Sequence, residues 1–197
     1  RRPSAPLVLE LSSFQLHYLK GEGFAPRVAV VTNLAPNHLD WHRTTLNYYE
    51  DKRLIVGGQS TEDFCILNAE DQTLCAWAKE CSAKVVLTAR RDPGSEDACF
   101  VQEISGQRRI VLRRDGRETE IAPLSALRLP GEHNVFNALQ AAAAALVFNE
   151  NVAAVAQGLH EFKGLPHRLE KVGEVGGVAF INDSIATTPE SAICGLE

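Results

Sequence analysis

The sequence predicts an α/β fold: a mostly parallel sheet flanked by helices, a small antiparallel β patch, and the beginning of a second α/β domain. Three observations carry this expectation. Short apolar runs alternate with amphipathic stretches through the first half of the 197 residues, which is the rhythm of βαβ units whose sheet is covered on both faces. From Cys99 to Ile121 the rhythm changes to short strands with a turn at Asp115-Gly116, as in antiparallel hairpins. At Phe162-Lys163-Gly164-Leu165-Pro166, glycine and proline punctuate the chain ahead of a further strand–turn–strand pattern.

Taken in order, Leu7 to Leu11 is an apolar run expected to form a strand, followed by a helical stretch from Phe14 to Leu19. Val28 to Val31 reads as a buried strand ending at Thr32-Asn33, and Thr44 to Val56 as a helix stopped by Gly57-Gly58. Phe64 to Leu67 is a strand, Asp71 to Cys81 a helix and Lys84 to Leu87 a strand. The antiparallel patch draws on Phe100-Val101, Arg109 to Leu112 and Glu118 to Ile121. Two helices follow, an Ala-rich one from Glu132 to Phe148 and a second from Val152 to Leu159. Beyond the Gly/Pro boundary come Leu169 to Val175, a Gly176-Gly177 turn, the strand Val178 to Ile181, and a helix after Pro189. Residues 1–164 are therefore read as one domain and 165–197 as the truncated start of another. The chain contains no methionine and opens as if in mid-domain, so it is expected to be an excised piece.

Composition narrows the function classes. The chain is 45% hydrophobic and 23% charged, with a net charge of -5, ordinary values for a soluble globular protein. Without a Lys/Arg block, a nucleic-acid partner held through its phosphates is not expected. The longest apolar run, Ala141 to Phe148, is too short to cross a bilayer. Cysteines at 65, 75, 81, 99 and 194 form no CxxC pair, which favours reduced thiols in a cytosolic protein over a metal cage or a disulfide framework.

Several short stretches could carry chemistry. Glu10 with Ser12, Ser13 and Gln15 lies at the C-terminal end of an expected strand, at the edge where open α/β sheets bind ligands; a solvent-exposed strand end with a serine N-cap is the structural alternative. The segment Asn37-His38-Leu39-Asp40 follows the next strand and reads either as a metal or phosphate loop or as a polar loop capping a helix. Lys52 shares a helix face with Tyr48 and Ile55, so it either snorkels or is desolvated enough for its amine to be neutral and reactive. Asn134 and Asn137 lie one turn apart near a helix start; one has an excuse as a cap, and side-chain amides also suit an adenine edge. Arg168 suits phosphate and Asp183 ribose hydroxyls, and each residue type is also common on surfaces.

In this order and spacing the stretches resemble one family. Glu-Leu-Ser-Ser-Phe-Gln-Leu at 10–16, Asn-His-Leu-Asp at 37–40, Lys52 and Gly-Glu-His-Asn-Val-Phe-Asn-Ala at 131–138 are similar to the central domain of Mur ligases. His-Arg-Leu-Glu at 167–170 and Asn-Asp-Ser-Ile-Ala-Thr at 182–187 look like the start of that family's C-terminal domain. The resemblance implies an ATP-dependent amide ligase of peptidoglycan precursor synthesis. The Ser-Ser-Phe-Gln-Leu wording is nearest to the D-glutamate-adding branch, whose substrates are UDP-N-acetylmuramoyl-L-alanine and D-glutamate. It further implies an acyl-phosphate route with two Mg²⁺ ions. Glu10, His38 and Lys52 would be the catalytic and metal-site residues, Lys52 as a carbamate. His133, Asn134, Asn137, Arg168 and Asp183 would hold ATP, and Ser12, Gln15 and Thr187 the substrates. The enzyme is expected to be a cytoplasmic monomer without membrane insertion. The phosphate loop is expected upstream of residue 1, which would leave this piece inactive alone. Ile185 stands where some members carry lysine, and Trp41 where arginine is common. The alternatives are another Mur ligase, a folylpolyglutamate synthase-like ligase, or a non-catalytic nucleotide-binding module.

Overall fold

A computed structural model describes residues 6–149, 151–187 and 189–196. Helix α1 (Ser13–Tyr18) precedes strand β1 (Val28–Val31), a short helix α2 (Leu39–His42) and helix α3 (Thr45–Gly57). Then come β2 (Phe64–Asn68), α4 (Gln72–Glu80), β3 (Lys84–Ala89), β4 (Ala98–Ile104), β5 (Gln107–Arg114) and β6 (Arg117–Pro123). After a single 3-10 turn the chain forms α5 (Glu132–Phe148), α6 (Val152–Glu161), β7 (Glu170–Val175), β8 (Val178–Asn182) and α7 (Pro189–Leu196).

The expected mixed sheet is present. Six strands lie in the order β1-β2-β3-β4-β5-β6. The pairs from β1 to β4 are parallel, and β5 and β6 add antiparallel to the same sheet. All five residues of β2 are buried, because helices cover both of its faces. Phe64 and Ile66 pack with Leu139, Ala142 and Leu146 of α5. The alternate residues Cys65 and Leu67 face Val56 of α3 and Leu74 and Trp77 of α4. Leu139 is fully buried, so Leu139→Ala would cost about 2–5 kcal/mol. Local caps fix where helices begin: Asp71 accepts from the Thr73 and Leu74 amides at 2.8 and 3.0 Å, and Thr44 from that of Asn47 at 3.1 Å.

One expected strand does not form. Residues 6–12 adopt neither helix nor strand, and Leu7 and Val8 are 80% and 91% exposed. A strand needs a neighbouring ladder for its backbone groups. Among the described residues β1 is the edge strand and pairs with β2 alone, so the apolar run has no partner there.

The parallel strands end together at Val31, Asn68 and Ala89. Buried Gln140 on α5 donates to the Thr32 carbonyl at 3.3 Å, and Asn68 donates to the same oxygen at 3.3 Å, tying α5 and β2 to the end of β1. The tail forms a separate antiparallel hairpin of β7 and β8, turned through Gly176 and Gly177, both with positive φ. Val178, Phe180 and Ile181 on this hairpin are exposed.

Candidate functional site

At one corner of the sheet, α1 and α2 pack against α3. Ser12 is the N-cap of α1, with Gln15 closing a capping box. The Ser12 amide donates to Gln15 Oε1 at 2.8 Å and the Gln15 amide to Ser12 Oγ at 3.3 Å. Both side chains are exposed, so they begin the helix and still face solvent. Glu10 lies two residues ahead, exposed.

The loop expected around His38 leads into α2, a helix too short for periodicity to reveal. His38 occupies its N-cap position with φ 54° but makes no side-chain capping bond. The imidazole lies against Phe14 of α1, ring centroids 4.9 Å apart. Lys52 on α3 is partly buried, its Nζ 5.3 Å from the centroid of the Tyr48 ring. Burial lowers its pKa below the ordinary lysine value, because desolvation disfavours the ammonium.

A buried polar cluster in this corner was not anticipated. Ser13 Oγ lies 2.9 Å from His42 Nε2, His42 Nδ1 lies 2.9 Å from Asp51 Oδ2, and Asp51 Oδ1 lies 2.9 Å from His17 Nδ1. Ser13, His42 and Asp51 are all buried. The available signals were His38 and His42 at helical spacing, and Asp51 on the same helix face as Tyr48 and Ile55.

The second candidate region is a groove of ≈ 620 Å³ formed by α5, α6, the 127–130 segment and residues 162–169. Apolar side chains such as Leu159 and Leu165 line it together with Asn134, Asn137 and Arg168. Neither asparagine caps α5: the N-cap is Gly131, with φ 94° and no side-chain cap. Asn134 instead donates to the Pro130 carbonyl at 2.7 Å, and Asn137 donates to Asn134 Oδ1 at 3.3 Å. His133 covers Gly131 so closely that a Cβ there would sit 2.6 Å from its Cε1.

Arg168 is exposed between His167 and Leu169, whose φ values are 65° and 46°. Asp183 Oδ1 accepts the Leu169 amide at 3.1 Å, so this carboxylate already braces the loop that presents Arg168. Thr187 and Ile185 are exposed after β8, and Trp41 packs edge-on to His17 and Phe14 in the first corner. Ser12 and Gln15 of α1, His38 at the start of α2 and Lys52 of α3 belong to the first corner, Asn134, Asn137 and Arg168 line the groove, Glu10 precedes α1, and His133 lies on α5 next to Asn134.

Residues 4–145 match the Mur ligase middle domain. The chain belongs to the Mur ligase family. It is 46% identical over 193 residues, 98% of its length, to the UDP-N-acetylmuramoylalanine--D-glutamate ligase of Symbiobacterium thermophilum. It is 38% identical over 97% of its length to the protein of the same name from Alkaliphilus oremlandii. It spans 41% and 40% of those two relatives. Among solved structures it is similar to MurF from Acinetobacter baumannii, with a TM-score of 0.68 at 19% identity, over 92% of this chain and 38% of that one. MurF from Thermotoga maritima in complex with ADP is similar at a TM-score of 0.65 and 16% identity, over 94% of this chain and 41% of that one. At such identities the structural likeness speaks for the Mur ligase fold alone. No helix among the described residues is long and apolar enough to cross a membrane.

Proposed function

We propose that this chain supplies the central ATPase domain (residues 1–164) and the start of the C-terminal domain (residues 165–197) of a ligase that joins D-glutamate to UDP-N-acetylmuramoyl-L-alanine. The observation carrying this reading is the 46% identity to a D-glutamate ligase over 98% of the chain. In the proposed reaction ATP phosphorylates the terminal carboxylate of the precursor. The amine of D-glutamate then attacks the acyl phosphate, an amide bond forms and phosphate leaves.

Glu10, His38 and Lys52 are the residues proposed to hold Mg²⁺. Among the described residues no three His, Cys, Asp or Glu side chains gather as a metal group. A carbamate on Lys52 would add a second anionic oxygen donor beside the Glu10 carboxylate, and oxygen donors suit Mg²⁺. The donor chemistry then fits, since burial favours the neutral Lys52 amine and only that form reacts with CO₂. When bound, two Mg²⁺ ions would offset charge on the transferring phosphoryl group. Ser12 and Gln15, exposed at the start of α1, are proposed to contact the precursor, and Thr187 the incoming amino acid.

The groove between α5 and α6 is the proposed adenine site. Its apolar walls suit a base, and the Asn134 and Asn137 amides lie on its lining. His133 would border it, Arg168 would face the phosphates and Asp183 would brace Arg168 and reach the ribose. The free thiols of Cys65, Cys75, Cys81 and Cys99 suit a reducing cytoplasm, and we expect a monomer.

The test uses the full-length protein with a panel of amino acids and UDP-N-acetylmuramoyl-L-alanine. Phosphate release is expected with D-glutamate and not with L-glutamate, lysine or D-alanyl-D-alanine. Equal release with any of the others would sink the specificity claim.

A further inference from the structure

The polar cluster at the corner of α1, α2 and α3 has a geometry that stability alone does not require. Helix α2 is only four residues long, and His38 and Arg43 at its two ends carry positive φ, 54° and 73°. Non-glycine residues persist in such backbone only where the surroundings over-determine it. His42 is the one buried residue of this helix. Its Nε2 meets Ser13 of α1 at 2.9 Å, its Nδ1 meets Asp51 of α3 at 2.9 Å, and its carbonyl accepts from Asn47 Nδ2 at 3.0 Å. The ring is also packed between Phe14 and Tyr48, with centroids 5.4 and 5.1 Å away.

Asp51 uses its second oxygen on His17 of α1, at 2.9 Å. A carboxylate is acceptor-only, so both imidazoles present Nδ1–H to it, and the Nε2 of a neutral His42 accepts from the Ser13 hydroxyl. The order Ser–His–Asp matches that of a hydrolytic triad, but Ser13 and His42 are each 3% exposed. A substrate carbonyl cannot reach the hydroxyl, which leaves these groups a mechanical role. The residues they hold are the proposed site residues: Ser13 follows Ser12, His42 follows His38 by one turn, and Asp51 precedes Lys52.

We propose that Ser13, His42, Asp51 and His17 form a clamp that fixes α2 between α1 and α3 and so holds His38 on α2 in a set position relative to Lys52 on α3 for ligation. This rests on the functional reading above and adds positioning residues to it. His42 is the keystone, because it is the clamp's member on α2 and bonds to both α1 and α3.

The test is made in the full-length protein with His42→Ala, His42→Asn and the unaltered chain. Two readouts are needed: amide hydrogen exchange, and steady-state rates with varied ATP and Mg²⁺. The amides of Trp41, His42 and Arg43 bond to the carbonyls of His38 and Leu39 at 3.0–3.1 Å, so they report α2 directly. In His42→Ala their exchange is expected to accelerate while the α5 amides of Leu139 and Ala142 stay protected. kcat is expected to fall about 10–100-fold with a raised Mg²⁺ half-saturation, as for loss of a residue orienting a metal ligand, and KM for ATP is expected to hold. His42→Asn keeps an amide able to meet Asp51 and is expected to recover most of the rate. Unchanged exchange in α2, equal acceleration in α5, or a lowered kcat with unaltered Mg²⁺ half-saturation would each overturn the clamp. Absence of D-glutamate-dependent turnover in the unaltered protein would instead overturn the functional reading, and the exchange arm would still decide whether the clamp holds α2.

Discussion

Lys52 holds its Nζ 5.3 Å from the centroid of the Tyr48 ring, one turn earlier on the same helix face. The ring face gives an ammonium a partial substitute for water, about 0.5–2 kcal/mol, while burial works against the charge and lowers the lysine pKa. Tyr48 is itself buried, and desolvation raises its phenol pKa, so it adds no negative charge beside the amine. Burial therefore shifts the amine towards its neutral form. Lys52→Arg keeps a cation but removes any amine able to form a carbamate, since guanidinium stays protonated. In the full-length protein its kcat is expected to fall by about 100-fold. A carbamate carbon signal from ¹³C-bicarbonate should be present in the unaltered protein and missing in this variant. Retention of near-full activity in Lys52→Arg would rule out the carbamate.

Gly131 starts α5 with φ 94°, and a Cβ there would meet His133 Cε1 at 2.6 Å and Nδ1 at 2.9 Å. Gly131→Ala must both strain the backbone, at about 1–2 kcal/mol, and displace the imidazole. A lowered melting temperature is expected together with a raised KM for ATP, because His133 and Asn134 would move at the edge of the groove. An unchanged KM would separate the helix start from nucleotide binding.

Two ion pairs near the ends of β2 and β3 set an acid limb for stability. Hydrogen bonds from Arg90 hold the Glu70 carboxyl below its ordinary value of 4.5, and those from Arg108 do the same for Glu132. A depressed carboxyl pKa contributes stability that is fully present above 4.5 and lost as pH falls through the folded-state value. Both pairs are substantially exposed, so the effect is modest and screened by salt. The double variant Arg90→Gln/Arg108→Gln is expected to unfold at lower urea than the unaltered chain at pH 7, and the gap should narrow as pH falls below 4.5. A gap independent of pH would assign the loss to packing instead.

Cys65 and Cys99 are completely buried, and desolvation pushes both thiols well above their ordinary pKa. Neither is expected to react with a thiol reagent until the protein unfolds, whereas Cys75 and Cys81 are partly exposed. Rapid labelling of Cys99 in the native protein would contradict the packing of β4 beneath α5.

Long-period and buried elements were legible from the residues. The apolar run Phe64 to Leu67 of β2 and the alanine-rich α5 declare themselves through apolar content, because each has neighbours on both sides. Leu7 to Leu11 has a strand's composition but no partner ladder, and composition does not carry pairing. Helix α2 escaped because four residues span barely one turn, so no hydrophobic period accumulates. The clamp escaped for a related reason: Ser13 and His42 are 29 positions apart, and only the packing of α1 against α3 brings them together. Lys52 was legible as an oddity on an apolar face, yet the balance between snorkelling and desolvation needed its burial. Asn134 and Asn137 were found as a pair, although the cap assigned to one of them belongs to Gly131.

The acyl-phosphate route is tested most directly by following oxygen. UDP-N-acetylmuramoyl-L-alanine labelled with ¹⁸O in its terminal carboxylate is incubated with the full-length protein, ATP, Mg²⁺ and D-glutamate, and the released phosphate is analysed by mass. One carboxylate oxygen should appear in each phosphate, because attack on the acyl phosphate leaves that oxygen with the departing group. Amide product formed alongside unlabelled phosphate would contradict the route, and label-free phosphate released without D-glutamate would mark simple ATP hydrolysis.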